Sequence, residues 1–185
     1  MIEIRKARLT DITDLLALIN TYAAGGVMLP RTEFEMAENI RDFLVAWDDG
    51  LDGGRLVGCG ALHFYTPLSG EVRSLAVEPG LKTKGIGRML VEALEAEARA
   101  NDLHSLFAFT YVDGFFRKLG FEDIDRGELP LKAWKDCLRC PKFQACDEIA
   151  MLKRLKADPV TLVFEKKPSG LVGVPEILLF PVLQK

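Results

Sequence analysis

Apolar positions along the chain repeat with two different periods. Ile2 to Ala7 sets Ile2 and Ile4 against Glu3 and Arg5, the alternation of a half-buried strand. From Thr10 the period lengthens. Ile12, Leu15, Leu16 and Ile19 share one helical face, with Thr10 as the predicted N-cap and Asp11 and Asp14 in the first turn. Gly25-Gly26 ends that helix. Thr32 to Arg41 predicts a second helix, because Thr32 and Glu35 have capping-box spacing. Phe43 to Trp47 and Arg55 to Tyr65 predict two strands joined by the Asp- and Gly-rich turn 48–54. Glu71 to Val77 predicts another strand, closed by Pro79-Gly80.

The clearest helix is Gly85 to Ala100, whose apolar stripe is Ile86, Leu90, Ala93, Leu94 and Ala98. Ser105 to Thr110 then predicts a buried strand, Gly114 to Leu119 a short helix and Phe121 to Ile124 a strand. Residues 125–146 are irregular, and Glu148 to Leu155 resumes as a strand. Beyond residue 155 four of the nine prolines interrupt an apolar stretch. The order begins with hairpin pairing and ends with βαβ units. It therefore predicts an α/β fold, a mixed, splayed sheet with helices on both faces.

Composition adds bounds. The chain has 185 residues, enough for one domain, and is 49% hydrophobic and 28% charged. With 24 Lys and Arg against 27 Asp and Glu, the net charge is -3, which argues against nucleic acid as a partner. The start does not read as a signal peptide and no apolar run is long enough for a bilayer, so a cytoplasmic protein with no membrane association is expected. The sequence leaves a homodimer open.

The strongest chemical signal follows the strand ending at Val77. Lys82-Thr83-Lys84-Gly85-Ile86-Gly87-Arg88 places two glycines and three cations at a helix start. Unpaired N–H groups and the helix dipole favour an anion there, and a glycine lets a phosphate approach closely. A plain glycine turn before a surface helix fits these residues equally well. The run is neither a P-loop nor a G-x-G-x-x-G turn, since the position three after Gly87 is Leu90.

The combination of a strand, Val77-Glu78-Pro79 and Lys82-Thr83-Lys84-Gly85-Ile86-Gly87 resembles the acetyl-CoA signature of GNAT N-acetyltransferases, with Lys82 where the family has Gln or Arg. The likeness runs over residues 1–155, the insert 125–146 included, and leaves 156–185 as a C-terminal extension of unknown role. It implies acetyl-CoA as cosubstrate. The binding residues would be Lys82, Lys84, Gly85, Ile86, Gly87 and Arg88 at the turn, and Leu75, Ala76 and Val77 on the strand. A strand amide near Ala76 would stabilise the thioester oxygen.

A narrower resemblance is to short, free-standing N-acetylglutamate synthases. It rests on Met28-Leu29-Pro30-Arg31, Val57-Gly58-Cys59-Gly60-Ala61-Leu62, Glu71-Val72-Arg73-Ser74-Leu75-Ala76-Val77 and Asp136-Cys137-Leu138-Arg139-Cys140-Pro141. It implies transfer of acetyl to the α-amino group of an amino acid, L-glutamate first, in arginine biosynthesis. Leu29, Arg31 and Cys59 would line that site. Another amine, such as a peptide N-terminus, and a non-catalytic acyl-CoA-binding regulator are the alternatives.

Arginine can grip a carboxylate through two parallel charged hydrogen bonds, which suits Arg31. Arg73, mid-strand among apolar residues, is either a second substrate residue or half of a structural salt bridge. Glu71 is the candidate general base, against the reading of a solvated strand-edge carboxylate. The family's usual acid, a Tyr four residues before Gly120, is Phe116 here, so Tyr111 becomes the substitute. Its alternative is a core aromatic. Cys137, Cys140 and Cys146 are weak metal candidates, because a second C-x-x-C is absent; three reduced cysteines in an irregular insert are the expectation.

Overall fold

The computed structural model describes residues 1–50, 53–129 and 136–156. In chain order the elements are β1 (Ile2–Lys6), α1 (Ile12–Ala24), α2 (Glu33–Asn39), β2 (Phe43–Asp48), β3 (Arg55–Phe64), β4 (Ser69–Val77), α3 (Ile86–Ala100), β5 (Ser105–Thr110), α4 (Asp113–Arg117), β6 (Glu122–Asp123) and β7 (Ile149–Arg154). The strands form one sheet in the order β1-β2-β3-β4-β5-β7-β6. All neighbours are antiparallel except β4 and β5, which the crossover helix α3 joins in parallel.

Helices cover both faces, as expected. On one, Ile86, Leu90, Val91, Leu94 and Ala98 of α3 pack on Leu44, Val57, Leu62, Val72, Leu106 and Met151. Each fully buried leucine contributes roughly 1.5–3 kcal/mol. On the other, Leu15 and Ile19 of α1 and Met36 of α2 cover Phe43, Val45, Cys59, Ala61 and Ala76. Among the described residues no helix is long and apolar enough to cross a membrane.

Several local details differ from the pattern. Thr10 does not cap α1. Leu9–Asp11 forms a 3-10 turn, in which the Asp11 carboxylate accepts the Arg8 amide at 2.7 Å and a fork from Arg5 at 2.8 and 2.9 Å. The second helix ends at Asn39 and tightens into a 3-10 turn, while its Thr32–Glu35 capping box forms as read. Val91 takes the buried place assigned to Ala93. β6 does not lie beside β5, because β7 inserts between them.

Two features of β4 shape the site. First, β4 pairs with β5 only over Ser69–Glu71, opposite Ser105–Phe107. Beyond that point the parallel strands part, and both C-terminal ends open the sheet. Second, the register with β3 slips: Cys59 faces Ala76 but Ala61 faces Arg73. Ser74 and Leu75 therefore stand opposite Gly60 alone as a bulge, with Ser74 at φ 51°. A left-handed side-chain-bearing residue costs of order 1–3 kcal/mol, which the surrounding ladder must sustain.

Candidate active site

The glycine turn lies at the open end of the sheet. Pro79–Lys84 forms a 3-10 turn after β4, Gly85 swings into the left-handed region at φ 80° and ψ 0°, and α3 starts at Ile86. No side chain caps this helix start. A Cβ on Gly85 would meet nothing within 4 Å, so the space above the amides is clear. A Cβ on Gly87 would lie 3.4 Å from the Phe115 ring of α4. Lys82, Lys84 and Arg88 are exposed around it, Lys82 with its ammonium 4.8 Å over the Tyr22 ring. The Tyr22 hydroxyl donates to the Val77 carbonyl, tying α1 to the end of β4. A clear amide cradle ringed by cations suits a diphosphate.

Below the turn, Leu75, Ala76 and Val77 lie on the stretch of β4 that β5 leaves unpaired. Cys59 is buried behind the bulge. Its thiol donates to the Ser74 carbonyl at 3.5 Å, and burial pushes its pKa up to about 12. It is a neutral wall rather than a nucleophile.

Arg31 lines a cavity of about 60 Å³ with Leu29, Pro30, Asp136 and Arg139. Asn20 fixes the loop by bonding both the Arg31 amide and its carbonyl, at 3.0 and 3.2 Å. The Arg31 Nε is buried and has no hydrogen-bond partner among the described residues. Burial, then the charge of Arg73, lowers its pKa, yet a guanidinium stays cationic at neutral pH. A half-buried cation lining a cavity suits an anionic group.

Arg73 is placed differently. It is buried, with contacts to Asp136 at 3.3 Å, Asn39 at 3.3 Å and Asp42 at 3.6 Å. The salt-bridge alternative is thus formed, and it pins the insert to α2 and the sheet. Arg139 adds a second tie to Glu35 at 2.6 Å.

Glu71 is 1% exposed, so it is no solvated edge carboxylate. It faces His63 across the β3–β4 ladder. Burial, and then the nearby Glu71 carboxylate, pushes the pKa of the Tyr65 hydroxyl up. Tyr111 lies just past β5 at the open end. Its hydroxyl accepts from Lys142 at 3.1 Å, and burial raises its pKa. Phe116 is a core residue between Phe115 and Phe121. Cys137, Cys140 and Cys146 are half-buried free thiols, and no group able to hold a metal ion occurs among the described residues.

The sequence reading missed Asp42 and His63, whose side chains meet at 2.6 Å, and the pairing of Asp136 with Arg73. A mid-strand arginine signals only that some acid must meet it.

A splayed α/β sheet, a bulged strand beside the gap and an amide cradle at the following helix define an acyl-CoA-dependent transferase. The chain belongs to the acetyltransferase (GNAT) family, whose model matches residues 10–121. It is an acetyl-CoA-dependent N-acetyltransferase, and the reading as a non-catalytic regulator is set aside. It is 43% identical over 152 residues to an uncharacterised N-acetyltransferase of Chlorobaculum tepidum, covering 82% of this chain and 96% of that one. It is 36% identical over 122 residues to the amino-acid acetyltransferase of Mycobacterium tuberculosis, covering 66% and 69%. The N-acetylglutamate synthase of Neisseria gonorrhoeae, solved with coenzyme A and N-acetyl-glutamate, superposes with a TM-score of 0.74 at 28% identity. That match covers 84% of this chain and 35% of the larger protein.

Proposed function

We propose that this enzyme acetylates the α-amino group of L-glutamate, in the setting of arginine biosynthesis. The observation that carries the reading is Arg31, a half-buried cation that lines a small cavity and whose buried Nε has no hydrogen-bond partner among the described residues. Amino-acid acetyltransferases among its relatives support it. Arg31 grips a substrate carboxylate beside Leu29, Cys59 acts from behind the β4 bulge rather than at the cavity wall, and Arg73 acts indirectly by holding Asp136 at the cavity.

Bound acetyl-CoA supplies the acetyl thioester. The amides of Gly85 to Arg88 hold its pyrophosphate, with Lys82 and Lys84 alongside, and Leu75 to Val77 pair along it. The amide near Ala76 polarises the thioester oxygen. Glu71 takes the proton of the attacking amine. Tyr111, with its raised pKa and its lysine partner, is a weak proton donor, and a thiol leaves with little help. Residues 1–155 form the acetyltransferase domain, with 156–185 outside it.

Thiol release measured against the twenty amino acids tests the substrate. Glutamate should give the highest kcat/KM. Equal turnover of a peptide N-terminus would replace this reading with peptide acetylation.

A further inference from the structure

Glu71 is almost completely enclosed, and each turnover would leave a proton on it. That proton must return to water before the next cycle, and a side chain 1% exposed has no direct contact with solvent to release it.

The sheet places one candidate outlet beside it. His63 is the residue directly opposite Glu71 in the antiparallel ladder, so both side chains rise from the same face with Cβ atoms about 5 Å apart. The His63 Nδ1 lies 2.6 Å from Asp42 Oδ2. A carboxylate only accepts, so Nδ1 carries the hydrogen and Nε2, on the opposite edge of the ring, is the basic nitrogen. The pair also reaches outward. The His63 side chain is 18% exposed and that of Asp42 26%. Among the described residues, the charged and titratable groups beside the His63–Asp42 pair include Glu71 across the ladder, Arg73 at 3.6 Å from Asp42, and Tyr65 just past the strand of His63, whose ring it meets edge-on at 5.1 Å. Arg73 bridges from Asp42 to Asp136 of the insert, which fixes the Asp42 carboxylate.

We propose that the His63–Asp42 pair is the proton outlet of this active site. Resting on the assignment of Glu71 as base, it works as follows. The proton taken from the amine breaks its O–H bond on Glu71 and forms an N–H bond at His63 Nε2. Glu71 returns to carboxylate and His63 becomes an imidazolium held by Asp42. The imidazolium then loses a proton to bulk water or buffer, which restores the neutral ring. His63 acts through Glu71 and touches neither substrate, so it is a positioning and relay residue. Asp42 orients it in the manner of a carboxylate behind a catalytic imidazole.

The test compares steady-state kcat in His63→Gln, His63→Ala and Glu71→Gln, with the first turnover followed separately. Gln keeps a hydrogen-bond donor for Asp42 but cannot carry the proton. His63→Gln should fold like the parent by thermal melting, complete its first turnover at the parental rate, and lose about ten- to a hundredfold in steady-state kcat, within the range of lost proton-transfer assistance. kcat/KM for both substrates should hardly move, because the outlet acts after the transfer. Added imidazole should restore much of the rate in His63→Ala and leave the parent unchanged. A parental steady-state kcat in His63→Gln would overturn the outlet. So would a loss in His63→Ala that imidazole does not touch and that appears chiefly as a raised KM, since that is the mark of a purely structural role. Glu71→Gln separates the two ideas. If it keeps the parental rate, the base assignment fails; if it is slow while His63→Gln is not, only the outlet fails.

Discussion

Replacing Arg31 by Ala gives the sharpest test of how the substrate is held. Among the described residues the Arg31 Nε at the 60 Å³ cavity is buried without a partner, and Asp136 and Arg139 there are engaged. Asp136 is taken by Arg73 and Arg139 by Glu35, so neither is poised to replace Arg31. A charge-assisted hydrogen bond contributes roughly 1.5–3 kcal/mol, so losing one should raise KM for glutamate about ten- to 150-fold. If the grip is equal in ground and transition states, kcat should stay near the parental value. Stability should behave differently. The lowered pKa of Arg31 means that burial and the charge of Arg73 disfavour its cationic form in the fold. Removing that charge offsets part of the lost packing. The net change should stay near 1 kcal/mol, roughly 2–4 °C in Tm for a chain of this size. The assay is thiol release at varied glutamate and fixed saturating acetyl-CoA, with calorimetry for acetyl-CoA and a thermal melt. Arg31→Lys, which keeps charge but loses the fork, should fall between parent and Ala. A glutamate KM within twofold of the parent, or an equal rise for an amine lacking a carboxylate, would refute the grip.

Three further outcomes follow from other parts of the structure. Gly87→Glu should weaken acetyl-CoA binding at least about tenfold by calorimetry, because it sets a carboxylate where the amides expect phosphate; its Cβ meets the Phe115 ring at only 3.4 Å, so circular dichroism should be unchanged. Glu71→Gln should lose more rate at neutral pH than Tyr111→Phe, and raising the pH above the amine's own pKa should restore Glu71→Gln, because neutral amine then no longer needs a base; the reverse order in rate profiles would assign the limiting proton to sulfur. Asp11 is held below the usual carboxylate range, by the Arg5 fork first and then the Arg8 amide, against a burial cost. Its folded-state pKa is depressed, so its stabilisation is present above the unfolded value near ~3.9 and lost as pH falls through the folded one. Asp11→Asn should therefore lower Tm at pH 7 and make little difference in strong acid.

The elements that the sequence announced are those that local rules determine. The 3.6-residue stripe of α3, the strand alternation and the Thr32–Glu35 capping box each depend on residues within a few positions of one another. The glycine turn was legible for the same reason, because its chemistry lies in backbone amides that the local chain itself arranges. Arg73 marks where legibility ends. Its place among apolar residues required a partner, but Asn39, Asp42 and Asp136 come from three separate segments, and only the closed sheet and the docked insert choose among them. The bulge was hidden too, since Ser74 reads as an ordinary strand residue until β3 sets a register that it must break.

That distinction also ranks the two arginines. Sequence placed both at the substrate with the same side-chain chemistry. In the fold one is neutralised by two carboxylates and ties the insert down, while the other keeps a buried donor facing the cavity. A guanidinium already bonded to fixed acids would have to break those contacts to take a substrate carboxylate, and the buried Asp136 would lose that cation. The cost of that exchange favours Arg31 for the proposed grip and leaves Arg73 to the scaffold.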